Sequence, residues 1–490
     1  MNITATHPWI EGQWRPGQGK PIQVSSPSTE HLVATVTTPA PTDIEDACAV
    51  AKAAHDDRRW RGLPVLERQR ILMRVGALLR EQDAWWAELI ATEMGMPVMA
   101  ARFIEVPYAA AAFEFYAGAI PHIHGETVPV DIPSAPPAFM AMTLLEPRGA
   151  VGLITPWNFP LMLPSWKLAA ALAAGCTAVL KPAPESPLTA LALGPLLQEA
   201  GVPDGVVNIL PGGDSVGAAI VAHPALRKIS LTGETATGQE VMRLAAAGLK
   251  RVNLELGGKS PLILFDDVDL EEAVSQTLFG SFFNAGQVCQ ATTRVLVQDT
   301  IHDTFVEQLI RRAAALRVGS ALDPAVDIGP IVHPQRLRWL SQMVQDAITA
   351  GARLATGGQP LPGPGYYFAP TVLTHVTPDM AIAQQELFGP VTTVLSFHDE
   401  DEAVALANRT PYGLAGAVFS RDIGRAFRVA QGLEAGTVWI NTVQVLSPTA
   451  PFGGVKQSGL GKELGWDGLL EYLDRKTVIV DINRVPMTYF

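Results

Sequence analysis

Cysteine is scarce in this chain: Cys48, Cys176 and Cys289 are the three in 490 residues, and no Cys-x-x-Cys pair occurs. An odd count without that spacing argues against a disulfide framework or a zinc knuckle and favours a reducing compartment. Blocks of Lys and Arg are missing as well, and the net charge is −12. Nucleic acid and anionic membranes are therefore not expected as partners. No uninterrupted apolar run reaches the roughly 18 residues of a membrane span. The longest candidate, around Leu168 to Leu180, is Ala-rich, is broken at Gly175 and reads as a buried helix followed by a strand. The start of the chain, Met1 to Ile10, shows neither the basic nor the apolar region of a secretory signal, which makes the cytoplasm the default expectation. His122 and His124 have a metal-tolerant spacing, but with no third ligand nearby they read as surface or turn residues, and no metal is expected.

What the chain does have is core. Hydrophobic residues make up 48% and charged residues 17%, a globular composition, and the length calls for about two or three domains. Thr42 with Glu45 resembles a capping box opening a helix that runs through His55, and Leu66 to Thr92 reads as further long helix. The segment Pro129 to Pro137 holds four prolines, which exclude helix and mark a boundary. From Gly149 the period changes. Apolar runs at Ala150–Ile154, Thr177–Leu180, Val206–Leu210, Lys228–Leu231 and Val252–Leu256 alternate with helical stretches at Leu163–Ala174, Leu188–Ala200, Val216–Ala222 and Ala236–Ala246. Strands alternating with helices at this spacing predict βαβ units and a parallel sheet. A second α/β stretch begins beyond Pro261, and Pro360 to Gly365 reads as a surface loop.

Parallel sheets bind ligands beyond the carboxyl ends of their strands, so the loops after each strand carry the information. They are Thr155 to Pro160, Lys181 to Pro187, Pro211-Gly212-Gly213 and Thr232-Gly233-Glu234. A lysine and several glycines ahead of helix N-termini can hold phosphate and ribose oxygens. Neither Gly-x-Gly-x-x-Gly nor a Walker sequence is present, so the usual Rossmann fingerprint and the P-loop are both excluded.

Of the cysteines, Cys48 and Cys176 sit in apolar surroundings and fit the ordinary buried role. Cys289 does not. Its flank of Gly286, Gln287, Gln290, Thr292 and Thr293 lacks core periodicity. Thirty-four residues upstream stands Glu255, in Leu254-Glu255-Leu256-Gly257-Gly258-Lys259. A thiol needs a base or an electropositive site to become a nucleophile, and a nearby carboxylate can activate either the thiol or a water.

Taken in order, Pro156-Trp157-Asn158-Phe159-Pro160, Lys181-Pro182, Leu254 to Lys259, Gly286 to Cys289, Glu386-Leu387-Phe388-Gly389-Pro390 and Pro451 to Gly459 resemble the aldehyde dehydrogenase superfamily. The resemblance implies an α/β fold of that family: an atypical Rossmann cofactor domain, an α/β catalytic domain and a small β oligomerisation extension. The cofactor domain would take residues 1–122, 143–257 and 457–475, the catalytic domain 258–456, and the oligomerisation element 123–142 with 476–490. A homodimer or homotetramer is implied. So is oxidation of a small-molecule aldehyde to its acid with NAD, NADP being possible.

By the same resemblance Cys289 is the nucleophile, Asn158 with the Cys289 backbone N–H the oxyanion hole, and Glu255 the base for the hydrolytic water. Lys167 and Glu463 match a proton relay. Thr155, Trp157, Lys181, Gly213, Gly233, Glu234, Glu386 and Phe388 fall on cofactor positions. Two departures are present: Pro184 stands where many members carry Glu, and Glu234 where many carry Ser, which leaves Glu185 and Glu234 as the carboxylates near the ribose. Phe159, Trp166, Phe283 and Phe452 fall on the substrate tunnel, and an apolar, aromatic tunnel disfavours short acidic semialdehydes. The alternatives are a CoA-acylating dehydrogenase, opposed by Glu255, and a thiol esterase or silent structural protein, opposed by the joint presence of Asn158, Glu255, Cys289 and Glu386.

Overall fold

The computed structural model describes residues 5–130 and 139–482. Its frame is a pair of parallel sheets, each sandwiched between helices. In the first, the parallel strands lie in the order Val207–Ile209, Thr177–Lys181, Ala150–Ile154, Leu226–Thr232, Arg251–Glu255. Antiparallel edges close it, Trp9–Ile10 on one side and Gly459–Leu460 on the other. The strands are buried on both faces because alternate residues feed different cores. Val151 and Leu153 pack beneath the N-terminal helices, whereas Ala150 and Ile154 pack against the helix Pro41–Asp56.

The second sheet runs Arg353–Thr356, Thr371–Thr374, Val391–Phe397, Arg294–Gln298, Pro261–Leu264, Ala415–Phe419, Thr437–Ile440, parallel except at its first strand. Here Leu262 and Leu264 face one core and Ile263 the other. A smaller antiparallel sheet pairs Leu473–Asp481 with Phe139–Pro147 and that strand with Thr127–Val128. The helix–strand order expected between residues 150 and 256 is present throughout, with ends shifted by a residue or two. Gly175, at φ +90°, ends the helix Met162–Ala174 in the left-handed conformation that glycine adopts without Cβ strain, and the chain turns straight into the next strand.

Two local expectations are corrected. The first helix is capped two residues earlier than Thr42 with Glu45 implies: Ala40 is its N-cap, and the Asp43 carboxylate accepts the Ala40 N–H at 2.7 Å. The Leu66–Thr92 stretch is two helices, Val65–Glu81 and Asp83–Met94. The break at Gln82 (φ −112°, ψ 22°) turns the second helix so that Trp86, Leu89 and Ile90 enter the core. Residues 142/143 and 475/476 lie inside the strands Phe139–Pro147 and Leu473–Asp481, which pair with each other along their whole lengths. Most of the Pro-rich segment, residues 131–138, lies outside the described residues. Among the described residues no helix is long and apolar enough to cross a membrane.

Two buried carboxylates join the N-terminal helices to the first sheet's layer. Glu93 accepts the N–H groups of Leu188 and Thr189 at 2.8 and 2.9 Å, closing the start of the helix Pro187–Ala200. Glu105 accepts those of Leu161 and Met162 at 2.8 and 3.3 Å, at the start of the helix Met162–Ala174. Burial pushes Glu93 up to about 7 and Glu105 up to about 8, but neither gives up its place, since a helix start buried without acceptors is costly. Glu93→Ala strands two buried donors and is expected to cost about 1–3 kcal/mol, against less than about 0.5 kcal/mol for the exposed Glu88→Ala. Paired thermal melts check the difference.

Candidate active site

In the first sheet the strand order reverses between Ala150–Ile154 and Leu226–Thr232, and a crevice opens at such a switch point beyond the carboxyl ends. The loops leaving these strands, Pro156-Trp157-Asn158 and Gly233-Glu234, form one wall of a cavity, and Glu386, Phe388 and Arg336 from the second sheet's side form the other. At the bottom stand Cys289 and Glu255. A second cavity, of about 200 Å³, meets the first at those two residues and at Thr232. It is lined by Phe159, Trp166, Phe279, Phe283, Phe452, Met162 and Leu163, with Glu463 near its floor.

The loop that carries Cys289 is set by an unusual backbone. Asn284, Ala285 and Gly286 are consecutively left-handed, at φ +51°, +56° and +69°, which for the two non-glycine residues costs on the order of 1–3 kcal/mol each. At Gly286 a Cβ would sit 2.2 Å from the Gly389 carbonyl oxygen, so only glycine fits. Side-chain amides fix the turn. Gln287 donates to the carbonyls of Asn284 (3.1 Å) and Pro330 (3.2 Å) and accepts the Val332 N–H (2.9 Å). Asn158 donates to the Gln287 carbonyl at 3.0 Å, and Asn284 donates back to the Asn158 carbonyl at 3.1 Å. Asn158 is thereby held beside Cys289 with its remaining amide hydrogen available.

Electrostatically the site is dry and acidic. Burial pushes the Cys289 thiol up, and the carboxylates of Glu386 and Glu255 push it further in the same direction. Both Glu255 oxygens are buried without a hydrogen-bond partner, and burial first, Glu463 second, holds this carboxyl well above its usual range. Glu463 contacts Lys167, whose Nζ also donates to Ser230 Oγ at 2.9 Å, and Ser230 Oγ lies 3.3 Å from Glu463 Oε1. Cys48 and Cys176 are fully buried elsewhere, with thiols pushed up to about 12 and about 11.

The expected cofactor residues divide into two groups. Trp157, Gly233, Glu234, Glu386 and Phe388 line the cavity above Cys289, and the Trp157 and Phe388 rings meet edge-on at 5.3 Å. Thr155, Lys181 and Gly213 lie outside that cavity, at or just after the carboxyl ends of their strands. The residues fit a dinucleotide. Lys181 is buried, donates to the Pro182 carbonyl at 3.1 Å, and is pushed down to about 8 by desolvation, with Glu185 and Asp214 opposing. Glu386, pushed up to about 7 by burial, accepts the Gly258 N–H at 3.0 Å, and the Thr155 and Thr232 hydroxyls are buried without partners. These are donors and acceptors of the kind that ribose hydroxyls pair with. Phe159 stacks with Phe283 at 6.3 Å, and Trp166 meets Phe452 edge-on at 6.3 Å. Sequence reasoning missed Arg336, Ile104, Tyr108, Phe279 and the stretch Val443 to Leu446, which reach the cavities only through tertiary packing. Among the described residues no cluster of His, Cys, Asp and Glu could hold a metal ion.

Comparison with known proteins agrees with this geometry. The model of the aldehyde dehydrogenase family matches residues 14–478. Human retinal dehydrogenase 2 is 40% identical over 488 residues, covering 99% of this chain and 93% of its own length. The betaine aldehyde dehydrogenase of Cereibacter sphaeroides is 41% identical over 471 residues, covering 96% of each. Among solved structures, betaine aldehyde dehydrogenase from Staphylococcus aureus in complex with NAD+ superposes with a TM-score of 0.96 at 37% identity, covering 99% of this chain and 97% of that one. The NAD+ complex of an aldehyde dehydrogenase from Bacillus cereus gives 0.95 at 38% identity, covering 98% and 97%. The chain belongs to the aldehyde dehydrogenase family. It is an oxidoreductase that converts aldehydes to acids with a nicotinamide cofactor.

A raised thiol has a measurable signature. Below its pKa the thiolate fraction grows about tenfold per pH unit, so alkylation of Cys289 by iodoacetamide in the cofactor-free protein is expected to accelerate continuously from pH 6 to 9. Mass-spectrometric rates at Cys289 check this, and a plateau near neutrality would contradict it.

Proposed function

We propose that Cys289 attacks the aldehyde carbon, that Asn158 and the Cys289 N–H hold the resulting alkoxide, and that Glu255 activates the water that hydrolyses the thioester. One observation carries the reading: Cys289 and Glu255 are shared by an aromatic cavity on one side and a polar cleft at a sheet switch point on the other. An aldehyde entering from the first meets a nicotinamide held in the second at the thiol. A neutral amide suits the oxyanion place because a preorganised dipole in a dry site stabilises developing charge without reorganising. The cofactor, when bound, supplies the hydride acceptor.

Glu255 must shed a proton before it can take one from water, since burial favours its neutral form. Glu463 and Lys167, in contact with each other and with Ser230, offer the route by which that proton leaves. We assign the sheet around Ala150–Ile154, with its flanking N-terminal helices and the segment 457–475, to cofactor binding, and residues 258–456 to catalysis. NAD is the favoured cofactor, with measurable use of NADP. Glu185 and Asp214 beside Lys181 disfavour a further phosphate, whereas Pro184 supplies no carboxylate to exclude one.

The substrate is a medium-length apolar or aromatic aldehyde. Among the described residues no Lys or Arg lines the aromatic cavity, and a buried unpaired carboxylate would be costly there. The antiparallel sheet exposes Met140, Leu144, Ile479 and Val480, which supports its use in joining copies of the chain, since exposed apolar patches of this kind mark association sites.

Cys289→Ala is expected to abolish aldehyde oxidation and ester hydrolysis while cofactor binding persists. Glu255→Gln should give a burst of reduced cofactor followed by a slow steady rate, because Gln cannot accept the water's proton. Run with a panel of benzaldehyde, octanal and succinic semialdehyde, the assay should favour the neutral members over the acidic one by at least about tenfold in kcat/KM, roughly the cost of burying a poorly paired polar group. Equal efficiency with the acidic aldehyde would contradict the substrate class. Ile479→Asp should shift the protein to smaller species in sedimentation.

A further inference from the structure

Two side chains at the cofactor cleft have no part in the chemistry above. Glu234 is the N-cap of the helix Thr235–Ala246, but its side chain makes no capping bond. Arg336 stands in the first turn of the helix Pro334–Thr349, whose buried face belongs to the second sheet's core. The Arg336 guanidinium donates to Glu234 Oε1 at 3.1 Å, closing an ion pair between the two walls of the cleft. The pair is lopsided. Glu234's side chain is 70% exposed and Arg336's 18%, and the guanidinium lies over the Trp339 ring at 4.9 Å from its centre. The arginine is the fixed partner and the carboxylate the movable one.

Among the described residues Arg336 is also the sole cation lining this cavity, which otherwise presents the carboxyls of Glu234, Glu255 and Glu386. A dinucleotide brings a diphosphate with about two negative charges into that setting, where an arginine is the natural partner for phosphate oxygens. The adjoining helix start, with its unpaired N–H groups, favours an anion at the same wall. In the free protein Glu234 is the anion that Arg336 holds.

We propose that Glu234 acts as an internal substitute for the cofactor's diphosphate: on entry of the dinucleotide a phosphate oxygen takes Glu234's place on the Arg336 guanidinium while the exposed carboxylate swings away, and departure of the reduced cofactor lets the carboxylate return. The proposal rests on the reading of this cleft as the dinucleotide site. Its consequence is that Glu234 weakens cofactor binding through Arg336 and speeds release. Plain repulsion between Glu234 and the phosphates would also weaken binding, but it would not need the arginine.

The experiment is a fluorescence titration with NADH of wild type, Glu234→Gln, Arg336→Gln and the double variant, with stopped-flow displacement for the dissociation rate. ADP-ribose, which keeps the diphosphate, and adenosine, which lacks it, serve as competitors. Breaking a partly exposed ion pair shifts an equilibrium by about two- to fivefold. Glu234→Gln is therefore expected to tighten NADH and ADP-ribose by about that factor and to slow NADH release, with no such gain in the Arg336→Gln background and none for adenosine. A gain that survives in the Arg336→Gln background, an equal gain for adenosine, or no gain at all overturns the exchange while leaving the cofactor site in place. Failure of NADH to bind the wild type overturns the cofactor reading and the exchange together.

Discussion

The left-handed run Asn284-Ala285-Gly286 is the constraint on which the site depends. Two of its residues carry side chains that disfavour this conformation, and the turn persists because amides of Gln287, Asn284 and Asn158 tie it to its surroundings. The same network holds the Asn158 side chain at the turn beside Cys289. Strain in the backbone and the placing of Asn158 therefore have one source, the amide bonds that keep the turn bent.

A second feature is the collection of buried ionisable groups around that turn. Glu93 and Glu105 close helix starts, Lys167 and Glu463 pair in the interior, and Glu255 alone has neither oxygen bonded. The contrast separates structure from chemistry. A carboxylate that accepts backbone N–H groups is spent on holding the fold, whereas Glu255 is bound by no such group and burial favours its neutral form. The helix Met162–Ala174 links the two classes, because Glu105 fixes its start and Lys167 lies further along it.

Placing the site at a junction of two cavities has a cost and a use. Neither sheet alone owns it: Glu255 ends a strand of the first, and Cys289 precedes a strand of the second. Small relative movements of the layers would open or tighten the cleft, and the Glu234–Arg336 pair spans that same gap. An ion pair at such a gap is weak enough to exchange and close enough to matter.

Much of this was legible in the chain itself. The alternation between residues 150 and 256 gave the βαβ order because a strand buried on both faces must be a short apolar run and its crossover a helix. Cys289 stood out by what its neighbours were not, and Asn158, Glu255 and Glu386 followed from motifs in a known order. Helix ends were less legible: Asp43 rather than Glu45 completes the first cap, since the folded backbone starts the helix after Ala40, which puts Asp43 and not Glu45 at the third helical position. What tertiary structure alone decided is which residues meet. No local pattern marks Arg336 as the partner of Glu234, one hundred and two positions away, or brings Phe279 and Val443 to the aromatic cavity. Periodicity reports which face of an element is buried, and it is blind to which other face is packed against it.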